Sequence, residues 1–359
     1  MKIMLVLPWF EVSGAEMMVA DLAIELKKRG HDVLIVSLYN RRTSISDEVT
    51  TNGVKIKYLD KHRGIDARIV RDMYSIIRDF NPDVIHTHLN VMKYVVPVAV
   101  LLKHKKIYHT VHNVADKEQR KADRILTNFF VKILGVKLVG IAPQVTESIA
   151  EEYNIPTKSI PTIYNGRNLK AFSCERNYDF NGTIKILHVG RFAEQKNHEM
   201  IVNAFKQVKD KVSNVTLLLV GDGDLMTSIK EQVHQLDLDS DVIFLGIRDD
   251  ISEIMKSSDI FILPSKYEGM PIVLIEAMAS GLPIVVTPVG GIPDMITNDV
   301  NGLMVADYRS DTQLSDTICK LIDNGQIREK IGRRAKIDAN KYSSQEMTEL
   351  YLKLYQQNK

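Results

Sequence analysis

Short runs rich in β-branched residues alternate with longer segments of helical spacing along the whole of this chain, and that alternation restricts its fold more than any other feature. The runs 3–7, 33–38, 54–59, 84–88, 107–112, 138–141 and 160–164 are short and rich in β-branched residues, and read as the buried strands of a parallel sheet. Between them, segments such as 15–28, 68–80 and 120–134 place apolar residues three and four apart, the mark of a helix with one buried face. At about 168–182 the period is lost, and the stretch ends in the turn signal Asn181-Gly182. The alternation then resumes with 186–189, 215–220, 242–245, 260–263, 284–287 and 303–305. The predicted class is α/β, with two doubly wound Rossmann-like domains spanning 1–172 and 173–359. The final helix, about 343–357, is a candidate to cross back to the first domain. A length of 359 residues suits two domains of roughly 150 or more.

Composition removes several classes. With 45% apolar and 26% charged residues the chain can bury enough surface to offset its ordering entropy, which excludes disorder as the main reading. Cys174 and Cys319 are too few for a disulfide framework or a thiolate metal site, and are expected to be reduced in a cytoplasmic protein. The longest apolar run, 94–102, is half the ~18 residues that a spanning helix needs. Residues 1–10 loosely imitate a leader peptide. However, Pro8, Glu11 and Glu16, with no small-residue cleavage site, favour a buried first strand. The net charge of +2 hides an asymmetry: 26 basic against 18 acidic residues in 1–170, and 21 against 27 in 171–359. Nine basic and three acidic residues fall in 101–140. A basic N-terminal half suits an anionic partner or membrane surface, or is a solvated face. No nucleic-acid partner is expected.

In open α/β sheets ligands bind beyond the carboxyl ends of the strands, so polar residues and glycines just after each strand are the candidates. The strongest cluster is Ser265-Lys-Tyr-Glu268-Gly269-Met270-Pro271-Ile272 through Glu276 to Gly281. Pro271 suits a helix start and Gly281 its C-terminal cap, while Gly269 lets a ligand approach the backbone beside the amides of that start. Glu276 shares a helical stripe with Ile272, Ile275 and Ala279, so its carboxylate needs a partner, either a ligand or a nearby cation. A second cluster, Gly190-Arg191 to Lys196-Asn197, sets two cations at the mouth of a sheet, suited to a diphosphate or to solvent. Val220-Gly-Asp-Gly-Asp224 begins like a dinucleotide fingerprint, but Met226 stands where the third glycine belongs. Ser13-Gly14-Ala15-Glu16 and Gly290-Gly291 could each bring amides near a phosphate or be plain turns. His86 and His88 close one strand, His112 with Asn113 the next, and no further ligands have zinc spacing, so no metal is expected.

Together these residues resemble the retaining glycosyltransferases of the GT-B fold, family 4, over nearly the whole chain. The most specific element is a Glu-x7-Glu signature, Glu268 to Glu276. Around it lie Val-Gly-Arg191 with Lys196, Val-Gly-Asp-Gly, Phe-Leu-Gly246, Gly290-Gly-Ile-Pro-Asp294, Asn301-Gly302-Leu and Asn165-Gly166. Ser13 departs from the Gly-Gly-Ala-Glu turn of many relatives. The resemblance implies two domains facing each other across a cleft and a nucleotide diphosphate sugar as donor, a UDP-sugar foremost, with no cofactor. Arg191 and Lys196 would hold the diphosphate and Gly14 would approach it from the other domain. Glu268 would contact the sugar hydroxyls, and the amides of Gly269, Met270, Pro271 and Ile272 would flank sugar and phosphate. Glu276 would bond the ribose, and Gly246, Ile247 and Arg248 would pass the base. His112 would lie near the reacting centre, with His88 and Asn113 toward the acceptor. The catalytic set is then His112, Glu268, Arg191 and Lys196.

The reaction so implied breaks an anomeric carbon–oxygen bond. Fixed cations and helix-start amides would offset the charge gathering on the departing diphosphate without a metal. The acceptor would attack from the leaving-group face, with retention, in cell-surface polysaccharide or glycolipid synthesis. The segment 117–132, mixing cations with bulky apolar residues, is either a core helix or a dock for anionic lipid that brings a lipid-linked acceptor. The latter makes the chain peripheral at the inner face of the membrane. Two other readings stay open: a nucleotide-sugar epimerase of the same architecture, and a non-catalytic nucleotide-sugar-binding subunit.

Overall fold

The computed structural model describes residues 1–10, 13–64, 66–180 and 182–357. Glu11 and Asn181, used above in reading the leader and the linker, lie outside the described residues, as do the side chains of Asp116 and Lys117. The chain divides into two units, Met1–Asn168 with Tyr342–Lys359, and Leu169–Lys341.

In the first unit the strands β1 (Lys2–Leu7), β2 (Asp32–Ser37), β3 (Lys55–Tyr58), β4 (Val84–His88), β5 (Ile107–Val111) and β6 (Lys137–Gly140) form one parallel sheet in the order β3-β2-β1-β4-β5-β6. In the second, β7 (Ile184–Val189), β8 (Val215–Val220), β9 (Val242–Gly246), β10 (Ile260–Leu263), β11 (Ile284–Val286) and β12 (Leu303–Met304) form another, ordered β12-β11-β10-β7-β8-β9. Counted from its own first strand, each sheet winds outward through three strands and then restarts on the other side of the first. The winding direction therefore reverses between β1 and β4, and again between β7 and β10. Each reversal parts the two loops that leave those strands and opens a crevice at the carboxyl edge. The central strands carry the burial this requires: Ile3 to Leu7 and Ile260 to Leu263 are essentially inaccessible, each large side chain contributing ~1.5–3 kcal/mol. Separate cores lie in the two units, one around Met4, Ile85, Val95 and Phe130, the other around Ile186, Phe205, Leu217 and Ile262.

Two elements differ from the sequence reading or extend it. The run 160–164 is not a strand. Pro161 has no amide to give a ladder, so the segment only bridges β6, with the Pro161 carbonyl accepting from Gly140 and the Ile163 amide donating back to it. The final helix, Ser344–Gln356, belongs to the first unit. The Tyr355 hydroxyl lies 2.6 Å from Nδ1 of His86 and the Tyr351 hydroxyl 2.9 Å from Oγ1 of Thr110, all four side chains buried, while Lys106 donates to the Tyr355 carbonyl at 2.8 Å. These contacts key the helix onto β4 and β5, and the unit boundary falls between residues 168 and 169 rather than 172 and 173. Among the described residues no helix is long and apolar enough to cross a membrane.

Candidate functional site

In the second unit the loops leaving β7 and β10 meet. The β7 loop turns at Gly190, exposes Arg191 and ends with Asn197 in the left-handed region at φ 59°. The Asn197 side chain is buried and donates to the Pro264 and Tyr308 carbonyls at 3.1 and 2.8 Å, which fastens the loop to the end of β10. Lys196 then points inward. Its ammonium lies 2.5 Å from Oε1 of Glu268, with only 14% and 6% of the two side chains exposed. The Ser265 hydroxyl donates to the same oxygen at 2.7 Å, and Gln195 Nε2 donates to Oε2 at 3.2 Å and to the Tyr267 carbonyl at 3.0 Å. A carboxylate this enclosed is tolerable because both oxygens are bonded. The Glu268 carbonyl, in turn, sits where a side chain on Gly290 would be: a Cβ there would lie 1.8 Å from it, and Gly290 is left-handed at φ 58°. The Gly291 amide donates to Gly269 at 2.7 Å. Gly290-Gly291 is thus a support beneath the Glu268 loop.

Pro271 caps the helix Ile272–Ala279, whose first amides have no carbonyl partner within the helix. Met270 and Ile272 are buried beside it, Glu276 is buried on it, and Gly281 follows its end in the left-handed conformation at φ 66°. The glycines that resemble a dinucleotide fingerprint have a different task. A Cβ on Gly221 would fall 2.1 Å from the Gly190 carbonyl, and one on Gly223 2.5 Å from the Phe192 carbonyl. The Asp222 carbonyl accepts from Phe192 and the Val220 carbonyl from Gly190, both at 2.9 Å. The Gly-Asp-Gly turn braces the Arg191–Lys196 loop from below. Its Gly221 amide also donates to Gly246, which begins the expected base loop at φ 65°. There Ile247 is exposed and Arg248 pairs with Asp250.

Sequence reasoning gave no role to Gln195, to Ser265 at the head of its strongest cluster, or to the histidines under this loop. His188 donates from Nδ1 to the Ile262 carbonyl at 3.0 Å. His198 stacks on Phe192 with 4.0 Å between ring centroids and meets His188 edge-on at 4.7 Å. Neither ring nitrogen of His198 has a partner among the described residues. Burial holds both imidazoles neutral, pushing His188 down to about 4 and His198 to about 2.

In the first unit the helix Gly14–Lys28 follows β1, and the Ser13 hydroxyl bonds the Glu16 carboxylate at its start. His112 follows β5. Its Nε2 lies 3.1 Å from Nδ1 of His88, so one of the pair donates and the other accepts. His88, expected toward the acceptor, is fully buried, its ring tilted against that of His86 with 4.2 Å between centroids. Burial pushes His112 down to about 4, leaving a neutral imidazole at pH 7. Glu118, part of the segment 117–132 but given no role there, clamps this turn. Its Oε2 accepts from the His112 and Asn113 amides at 2.5 and 2.8 Å, while burial pushes its carboxyl up to about 8. Among the described residues, no three His, Cys, Asp or Glu side chains are grouped to hold a metal ion.

Comparison with known proteins covers both units. Residues 12–171 match the family described as Glycosyltransferase Family 4, and residues 175–338 the one described as Glycosyl transferases group 1. The N-acetyl-α-D-glucosaminyl L-malate synthase of Bacillus anthracis is 26% identical, covering 96% of this chain and 94% of the relative. An Escherichia coli UDP-Gal:α-D-GlcNAc-diphosphoundecaprenol α-1,3-galactosyltransferase is 27% identical over 67% of this chain and 66% of its own length. The fold matches Anabaena Alr3699/HepE, solved with UDP, at a TM-score of 0.83 and 17% identity, covering 99% of both chains.

Proposed function

The chain belongs to the family 4 glycosyltransferases of the GT-B fold, and on that premise we propose that it transfers a hexose-type sugar from a UDP-sugar to a glycan or lipid-linked acceptor, with retention and without a metal ion. The observation that carries this reading is the Lys196–Glu268 contact, which puts a phosphate-seeking cation against a hydroxyl-binding carboxylate at the start of a helix. When a donor arrives, its diphosphate oxygens would draw the Lys196 ammonium and the Arg191 guanidinium. Ser265 and Gln195 would keep Glu268 in place for the sugar hydroxyls. Glu276 is assigned to the ribose, and Gly246, Ile247 and Arg248 to the base. The amides of Gly269, Met270 and Ile272, beside Pro271, are assigned to sugar and phosphate, and Gly14 to the diphosphate. His112 is assigned to the reacting centre, with Asn113 beside it and His88 fixing its tautomer.

The acceptor oxygen forms a bond to the anomeric carbon while the carbon–oxygen bond to the diphosphate breaks. The acceptor's proton passes to the departing phosphate oxygen, giving a glycoside and a nucleoside diphosphate. Negative charge gathers on the phosphate during this step, where preoriented cations and amides contribute most; losing one such contact lowers the rate on the order of 10²-fold. Retention is typical of the family. Support for the UDP-sugar comes from the HepE complexes with UDP and with UDP-glucose, and from the Escherichia coli relative named for UDP-Gal. That relative, named for a lipid-linked acceptor, supports a role in glycolipid or cell-surface polysaccharide synthesis, while the malate synthase is named for a small acceptor. Use of such a donor would place the chain in the cytoplasm, peripheral to the membrane where the acceptor is lipid-linked. A screen of nucleotide sugars for binding and slow hydrolysis tests the proposal. Hydrolysis of a UDP-sugar supports it, isomerisation of the sugar would replace it with an epimerase, and binding without either would leave a non-catalytic subunit.

A further inference from the structure

We propose that the loops leaving β2 and β3 form an anion subsite for the acceptor, in which Arg42, Lys61 and Arg63 receive a phosphate joined to the acceptor sugar. This deepens the acceptor reading above and rests on it for its purpose, though not for its geometry. The first sheet is parallel throughout, so these two loops open on the same edge as His112. They are laced together beyond the strands. The Leu59 amide donates to Ser37 at 2.8 Å, the Lys61 amide to Leu38 at 3.0 Å, and the Tyr39 amide to Pro8, just past β1, at 2.8 Å. What they carry is mostly positive: Arg41 and Arg42 follow β2, and Lys61 and Arg63 follow β3. The acids beside them are Asp60 and Asp66, and Asp66 is buried and already bonded by Arg68 at 2.8 Å.

Arg42, Lys61 and Arg63 have no ion-pair partner among the described residues. The Lys61 ammonium is nonetheless fixed. It donates to the Tyr39 hydroxyl at 3.1 Å and to the His62 and Gly64 carbonyls at 2.8 and 2.6 Å, and it faces the Tyr39 and Tyr94 rings at 5.0 and 5.4 Å. All these partners are neutral, so a full positive charge stands in place at the rim of the sheet. Arg42 is exposed, with its guanidinium over the Tyr58 ring at 5.6 Å. That contact uses the guanidinium face and leaves its edge donors to grip two phosphate oxygens. Arg63 is exposed on the Lys61 loop. Beside them stands half-buried Trp9, its ring 5.5 Å from that of Tyr39. Cations next to aromatic surface suit a sugar phosphate, the pyranose C–H face against a ring and the phosphate on the arginines. A neutral acceptor would gain nothing from the charges. From β2 to β5 is three strand spacings, ~14 Å, so an acceptor anchored here extends across the β1–β4 reversal toward His112.

Trp9 is the one tryptophan of the chain, so its fluorescence reports on this edge. The test titrates the full chain, with UDP already at saturation, with N-acetylglucosamine 1-phosphate, glucose 1-phosphate and their neutral parent sugars. A further probe is N-acetylglucosamine diphosphate on a short polyprenyl chain. Each phosphorylated probe should bind about tenfold or more tightly than its parent sugar and lose that advantage with salt. Arg42→Gln/Arg63→Gln, which alters only exposed side chains, should weaken the phosphorylated probes about tenfold. Lys103→Gln/Lys105→Gln removes the same charge from exposed positions just before β5, at the opposite edge of the sheet, and should match wild type. Equal affinity for phosphorylated and neutral sugars, or equal losses in the two variants, would overturn the proposal. So would binding of sugar phosphates that UDP abolishes, which would put them on the donor's cations. Tighter binding of the polyprenyl probe supports the subsite with a lipid diphosphate as its source, and affinity equal to that of the free sugar phosphates supports it with a soluble one. UDP binding in the same preparations separates the failures: UDP binding with indifference to sugar phosphates removes the subsite alone, and absence of UDP binding removes the UDP-sugar reading.

Discussion

Replacing His198 by leucine gives a direct reading of how the Arg191–Lys196 loop is held. Its imidazole is 1% exposed, stacked on Phe192 and without a partner for either nitrogen among the described residues. Burial pushes it from the ordinary 6.5 down to about 2. The unfolded chain therefore takes up a proton near pH 6.5 that the folded chain refuses, and stability present above that pH is lost as the pH falls. Between pH 7 and 5 this one group removes about 1.9 kcal/mol, from the ratio of unfolded-state binding at the two pH values at 1.36 kcal/mol per unit. His188, held down to about 4, removes nearly as much, and together they consume a large part of an ordinary 5–15 kcal/mol margin. Hydrogen exchange of the β7 amides reads opening of this unit. Exchange in wild type should accelerate from pH 7 to 5, beyond the intrinsic chemistry, by about 25-fold more than in His198→Leu. At pH 7 the variant should itself be more protected, because a buried unsatisfied group costs ~1–3 kcal/mol. Parallel protection profiles for the two proteins would refute the argument.

Other consequences are opposite in sign or different in kind. Glu118 is held up to about 8, so the wild type loses stability as the pH rises from 4.5 toward 8. Between pH 5.5 and 7.5, Glu118→Gln should gain about 2.5 kcal/mol over wild type in urea unfolding, and no relative gain would show that this carboxyl is not held up by burial. Gly223→Ala places a Cβ 2.5 Å from the Phe192 carbonyl and should weaken UDP binding at least tenfold by shifting the Arg191–Lys196 loop, an effect on the order of 1.4 kcal/mol. Unchanged UDP affinity in that variant would mean the turn braces nothing.

Much of this architecture was legible in the sequence because strands buried on both faces are rich in β-branched and other apolar residues, as 3–7 and 260–263 are throughout. The run 160–164 misled for the same reason: its apolar residues conceal Pro161, which cannot join a ladder. Glu268 and Lys196 were each found from local spacing, but their contact spans 72 positions and exists only once β7 and β10 are neighbours. Gln195, Ser265 and Glu118 lay inside segments the sequence singled out but received no role, because an amide, a hydroxyl and one carboxylate have no local pattern that sets them apart from surface residues. The Gly-Asp-Gly turn carried a signal for close backbone approach, and the backbone it admits is the protein's own rather than a dinucleotide's.

Calorimetric titration of UDP into the wild type, Arg191→Ala and Lys196→Ala, with EDTA throughout, tests most directly whether a guanidinium and an ammonium hold the diphosphate. Wild type should bind in EDTA, and each variant should bind about 10–100-fold more weakly, the loss of one hydrogen bond to a charged group. Wild-type affinity in both variants, or no binding by wild type until a divalent ion is restored, would contradict the account.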